Sequence, residues 1–126
     1  MPTPIHQLEA IKTFLRQNRS PFGKSTEQIR SEMEEAARQL PRRPDIKAEP
    51  VNIGKLYGEW VSTKGITDVA AERAFLYFHG GGFIAGTCEM YRDLAARISA
   101  ACGIQVLTVE YRLAPEHRYP AANEDC

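Results

Sequence analysis

Residues 77–86 read Tyr-Phe-His-Gly-Gly-Gly-Phe-Ile-Ala-Gly, with Gly80, Gly81 and Gly82 set between His79 and Phe83. Consecutive glycines give up backbone entropy and supply nothing to a core, so folding alone does not call for them. They belong where the main chain needs φ > 0, or where a ligand atom must reach backbone amides without meeting a Cβ. The chemistry that uses such a loop is stabilisation of a developing negative oxygen. Two converging N–H groups about 3 Å from an oxyanion form the hole, and losing one donor costs on the order of 10²–10³ in rate. A merely flexible turn is the plain alternative, and three glycines between a strand and a helix argue against it. A phosphate cradle fits poorly, because the run is neither G-x-G-x-x-G nor a P-loop. Gly-Lys-Ser-Thr at 23–26 fails as well, since Asn18 stands where a P-loop has glycine.

The other reactive side chains stand apart from one another. His6 and His117 have no ligand-spaced partners and read as surface residues. The three cysteines, Cys88, Cys102 and Cys126, are widely spaced without a C-x-x-C, which indicates neither a disulfide framework nor a zinc site. Reduced thiols in a cytoplasmic protein are the expectation, with no metal and no cofactor. Cys88, near a helix start, is a candidate for a lowered pKa, but with no base in sight a small packed residue is the better reading. Glu124 and Asp125 read as acids in the first turn of a helix. The serines are Ser20, Ser25, Ser31, Ser62 and Ser99, and none lies in a G-x-S-x-G.

Two kinds of periodicity surround the glycine loop. Ile5, Leu8, Ile11 and Leu15, widened by Phe14, recur at helical spacing. After a breaker at 18–23, Ser25 with Gln28 forms a capping-box signature for a second helix. Its apolar face is Ile29, Met33, Ala36, Ala37 and Leu40. Short strands are expected near 49–53 and 57–62. The run 74–78, apolar at nearly every position, suits a central strand covered on both faces. Thr87 caps a third helix with Tyr91, Leu94, Ala95, Ile98 and Ala101 on one side, and Gly103 ends it. Residues 104–111 read as a second buried strand, and the last residues as the start of another helix. Strand, helix and strand with tight connections make a βαβ unit, so the class is α/β.

Composition removes several functions. Sixteen basic residues balance sixteen acidic ones among 126 residues, for a formal net charge of zero. No single-sign field steers such a chain to nucleic acid or an anionic membrane. The N-terminal residues lack a continuous apolar run of the kind a signal peptide or membrane span requires.

His-Gly-Gly-Gly-Phe at 79–83, followed in order by Val-Glu-Tyr-Arg-Leu-Ala-Pro-Glu-His-Arg-Tyr-Pro-Ala-Ala-Asn-Glu-Asp at 109–125, resembles the hormone-sensitive-lipase-like branch of the α/β-hydrolases, a group of serine carboxylesterases. The resemblance is clear over residues 48–126. It implies the N-terminal part of an α/β-hydrolase sheet, residues 45–126, beneath a two-helix cap, residues 1–44. It implies that the amides of Gly81 and Gly82 donate to the oxyanion, and that Phe83 and Phe22 shape the substrate pocket. Gly86 is expected to let the loop pack closely on the helix. His79 and Gly80 fix the loop, and Tyr111, Arg112 and Glu116 match a motif with an architectural role. His79 with Asp125 as base and orienter is the tempting alternative, which the resemblance disfavours. In that family the nucleophile, the acid and the base follow the matched motifs. The chain is therefore expected to be the first part of a longer enzyme, truncated before the nucleophile elbow and inactive by itself. Its expected partners are a small-molecule ester and the remainder of the hydrolase domain, on the same or a separate polypeptide, and a homodimer of the full enzyme is compatible with this. A non-catalytic ligand-binding protein on the same scaffold is the alternative.

Overall fold

The computed structural model describes residues 4–17, 23–66 and 73–126. Helix α1 (Pro4–Gln17) and helix α2 (Thr26–Gln39) come first, then strands β1 (Ile46–Ile53) and β2 (Leu56–Thr63). Strand β3 (Phe75–Phe78), helix α3 (Cys88–Cys102), strand β4 (Val106–Glu110) and the short helix α4 (Ala121–Asp125) complete the chain. Among the described residues no helix is long and apolar enough to cross a membrane.

The four strands form one mixed sheet in the order β1-β2-β4-β3. The hairpin β1–β2 is antiparallel and turns through Gly54 and Lys55, with Ile53 opposite Leu56. β2 pairs antiparallel with β4, and β3 pairs parallel with β4, Phe78 lying opposite Val109. The parallel pair needs a crossover, and α3 supplies it.

Local chemistry sets the helix ends. Ser25 Oγ accepts from the Gln28 amide at 3.2 Å while the Gln28 side chain accepts from the Ser25 amide at 2.8 Å, the reciprocal box expected from sequence. Thr87 Oγ1 accepts from the Met90 amide, and Gly103 closes α3 in the left-handed conformation. The core lies between α3 and the sheet, where Ala95 and Ala96 meet Val61 and Val106 with Ile46, Ala48, Tyr77 and Ile98 around them. Burying each of these valines contributes roughly 1.5–3 kcal/mol.

One expectation about burial is corrected. α3 buries Cys88, Ala95, Ala96 and Ser99, while Leu94 and Ala101 are exposed. The small side chains of Ala95 and Ala96 let the helix sit close to the sheet, and Ser99 is satisfied by donating to the Ile104 carbonyl at 2.6 Å. Among the described residues β3 pairs with β4 on one side only, so Leu76 is 51% exposed and Phe75 and Phe78 are only partly covered. No residue of α1 is buried, so its apolar stripe stays at the surface.

One buried charge organises the sheet's inner face. Glu59, 2% exposed, takes two hydrogen bonds from Arg92 of α3, at 2.7 and 2.9 Å, and one from the Tyr57 hydroxyl at 2.8 Å. Burial would raise its pKa, but Arg92 and Tyr57 hold the carboxyl below the ordinary glutamate value. The same hydrogen bond pushes the Tyr57 phenol up to about 12.

Cys88 lies at the start of α3 and is 1% exposed. Burial pushes its thiol up to about 11, the reverse of thiolate activation by a helix terminus. A thiol reagent should therefore label Cys102 and Cys126 quickly in the native protein and Cys88 only on unfolding. Fast native labelling at Cys88, read by peptide mass spectrometry, would contradict that packing.

Candidate functional site

β3 runs out at Phe78, and the next residue turns inward. His79 is 5% exposed, its ring stacked on Tyr111 at 4.5 Å and on Tyr91 at 5.5 Å. Its Nδ1 lies 2.8 Å from the Gly80 carbonyl, so Nδ1 carries the proton and donates. Nε2 has no hydrogen-bond partner among the described residues. The Tyr111 hydroxyl donates to the His79 carbonyl. The histidine is thereby fixed to its own loop and makes no contact with Asp125.

The loop then closes on itself. The Gly81 carbonyl accepts from the amides of Ile84, at 3.2 Å, and Ala85, at 3.1 Å. Gly81 has φ of 131° and Gly82 of 64°, followed by Phe83 at 62°. At Gly81 the turn tolerates no side chain, because a Cβ would stand 1.9 Å from the Ala85 carbonyl oxygen. Gly86 is equally constrained, but by a neighbour other than the expected one. A Cβ there would stand 2.3 Å from His79 Nδ1 and 2.7 Å from the Gly80 carbonyl oxygen, so this glycine makes room for the histidine ring rather than for loop-on-helix packing.

The outward carbonyls of the loop are held from outside it. The Ala114 amide donates to the Phe83 carbonyl at 2.8 Å, and Arg30 Nε donates to the Ile84 carbonyl at 2.7 Å. The amides of Gly81 and Gly82, by contrast, donate to no acceptor among the described residues. Gly82 is exposed and Gly81 half-buried. Two adjacent N–H groups that are reachable and unpaired are donors of the kind an anionic oxygen can use.

The remaining predicted residues fall around this turn. Phe83, 58% exposed, meets Tyr111 edge-on at 6.3 Å. Phe22 lies outside the described residues, as does Ser20. Arg112 grips Asp125: its backbone amide donates to Oδ2 at 2.8 Å and its guanidinium reaches both carboxylate oxygens. Asp125 is the last residue of α4, not a first-turn acid, and the Arg112 guanidinium holds its carboxyl below the ordinary aspartate value. Only Glu124 keeps the first-turn place expected of it.

Sequence reading passed over Arg30. It projects from α2 and also bonds the Ala114 carbonyl at 3.0 Å and both oxygens of Glu116, at 2.6 and 2.9 Å. Arg30 holds the Glu116 carboxyl down to about 2. The signal available was an arginine on the half-buried stripe of α2, between Ile29 and Met33. A cleft of about 360 Å³ opens beside it, lined by Arg30, Glu34, Gly86, Met90 and His117 among others. Ala85 and Gly86 line that cleft while Gly81, Gly82 and Phe83 do not, so it borders the far end of the glycine turn.

A sheet with a parallel βαβ unit, and a glycine turn of bare amides between its strand and helix, define an α/β-hydrolase fold, and residues 75–126 match the family model of that description. The chain is similar to the hormone-sensitive-lipase-like branch of that fold. It is 34% identical over 117 residues to the esterase LipI of Mycobacterium tuberculosis, the match covering 83% of this chain and 35% of that protein. An esterase from the bacterial hormone-sensitive lipase family superposes with a TM-score of 0.80 at 31% identity, over 99% of this chain and 41% of the other. The gibberellin receptor GID1B of Arabidopsis thaliana is 34% identical over 71 residues, 55% of this chain and 20% of the receptor. The chain thus spans about a third of the length of the curated esterase it matches.

Proposed function

We propose that this chain supplies the oxyanion-hole loop of a serine carboxylesterase acting on small to medium acyl esters through an acyl-enzyme. The observation that carries the reading is the pair of unengaged amides at Gly81 and Gly82. In the reaction, a serine outside these residues attacks the ester carbonyl and a histidine takes its proton. The carbonyl oxygen becomes an alkoxide, to which Gly81 and Gly82 donate along with the amide following the nucleophile. The alcohol leaves with the proton from the histidine, and water then releases the acid by the same route.

In this reading His79, Gly80, Gly86, Tyr111, Arg112 and Glu116 hold the loop, and Phe83 and Phe22 shape the pocket. Residues 1–44 form a cap and residues 45–126 the first part of the catalytic core. The rest of the hydrolase domain is the chain's partner, and three free thiols suit a reducing, cytoplasmic setting.

The test compares two proteins. The 126-residue chain alone should not hydrolyse p-nitrophenyl acetate above a boiled control and should take no fluorophosphonate. A longer polypeptide that joins it to a G-x-S-x-G segment should do both, with the label on a serine outside residues 1–126. A label on any serine within this chain would sink the assignment.

One observation favours a second reading, a protein that holds a small ligand without turning it over: the likeness to a gibberellin receptor. Ester binding by the longer polypeptide, without turnover or label, would select it.

A further inference from the structure

Helix α2 buries none of its residues. Among the described residues, Arg30 is its one side chain that hydrogen-bonds the sheet-bearing half of the chain. Four bonds leave this guanidinium, and each has a distinct end. Nε serves the Ile84 carbonyl, at the far side of the Gly81–Ala85 turn. One terminal nitrogen serves the Ala114 carbonyl, whose own residue donates to Phe83. Both terminal nitrogens serve Glu116. The glycine turn is therefore tied on its carbonyl side to residues 114–116 through one planar group.

We infer that Arg30 is a positioning residue for the glycine turn, setting from α2 the direction in which the Gly82 amide points. The inference rests on the proposed reading of that turn. It follows from peptide geometry, in which a carbonyl and the next residue's N–H share one plane: the Ile84 carbonyl held by Arg30 fixes the Ala85 N–H, which donates to the Gly81 carbonyl at 3.1 Å, and that carbonyl shares its plane with the Gly82 N–H. Donors misplaced by about 1 Å lose around 10² in rate, although nothing in the chemistry has been removed. Lysine cannot substitute, because an ammonium is a point donor and cannot span two carbonyls and a carboxylate in one plane.

The test uses the longer polypeptide with p-nitrophenyl acetate, and amide hydrogen exchange as a second readout. Arg30→Met should lower kcat about 10²-fold with KM within about threefold of wild type, and speed exchange at the amides of Ile84 and Ala85 while β2 and β4 stay protected. Arg30→Lys, which keeps the charge and a pairing with Glu116, should fold and still lose most of the rate. Glu116→Gln leaves both carbonyl bonds in place and should lose far less, about tenfold or under. Unchanged kcat in Arg30→Met, a rise in KM alone, or full activity in Arg30→Lys would each overturn the inference. Faster exchange at Ile84 and Ala85 without a fall in kcat would overturn it too. A wild-type polypeptide with no turnover is a different result, since it removes the esterase reading instead.

Discussion

Gly81→Ala should abolish nearly all ester turnover in the longer polypeptide, by about 10²–10³-fold in kcat/KM, the size of a lost oxyanion donor. The reason is contact with backbone, which cannot step aside. The new methyl would lie 1.9 Å from the Ala85 carbonyl oxygen, and φ of 131° is foreign to any residue with a side chain. The turn must open, and both amides swing with it. Gly82→Ala is the control, because its Cβ meets nothing within 4 Å and its φ of 64° costs an L-residue only about 1–2 kcal/mol. Turnover should therefore fall steeply at 81 and modestly at 82, with the Gly82 variant giving up only that small amount of stability. Equal activity of Gly81→Ala and the wild type would show that these amides do not touch the reacting oxygen.

Arg92→Met should be the most damaging change in the core. It leaves the Glu59 carboxylate buried with only the Tyr57 hydroxyl, and removing one partner of a buried pair costs about 3–5 kcal/mol. That is a large part of the roughly 5–15 kcal/mol a domain possesses. The pH dependence separates this account from a simple loss of packing. In the wild type the folded Glu59 value lies below the unfolded one, so its contribution is complete above the ordinary glutamate range and is lost as pH falls through the folded value. In Arg92→Met burial is opposed by the Tyr57 hydroxyl alone and raises the folded value above the unfolded one. The variant should regain relative stability on acidification, and the gap to wild type in urea unfolding should narrow between about pH 7 and pH 4. A gap independent of pH would assign the loss to the missing arginine stem.

The features legible from sequence are those whose partners lie within one turn of chain. Ser25 with Gln28, Thr87 with Met90, and Gly103 after α3 act through atoms three or four residues away, and all appear as expected. The glycine run located the candidate site because three adjacent residues state a backbone requirement with no remote partner. Burial is not local in this way. The apolar run at β3 says that something covers it, not on which side, and α3 was misjudged by about one position because Val61 and Val106 decide which alanines fit. Ion pairing across the fold was illegible for a combinatorial reason. With sixteen charges of each sign, nothing in the order of residues matches Arg30 with Glu116, Arg92 with Glu59 or Arg112 with Asp125.

The open side of β3 carries a consequence for handling the molecule. A ribbon whose N–H and C=O groups face outward beside Phe75, Leu76 and Phe78 is a template that another copy can extend. Preparations of these 126 residues should have a solubility ceiling set by that edge: clear when dilute, turbid when concentrated, and indifferent to ionic strength because the strip bears no charge. Chaperones or a fused neighbour strand would raise the ceiling by occupying the same row of hydrogen bonds.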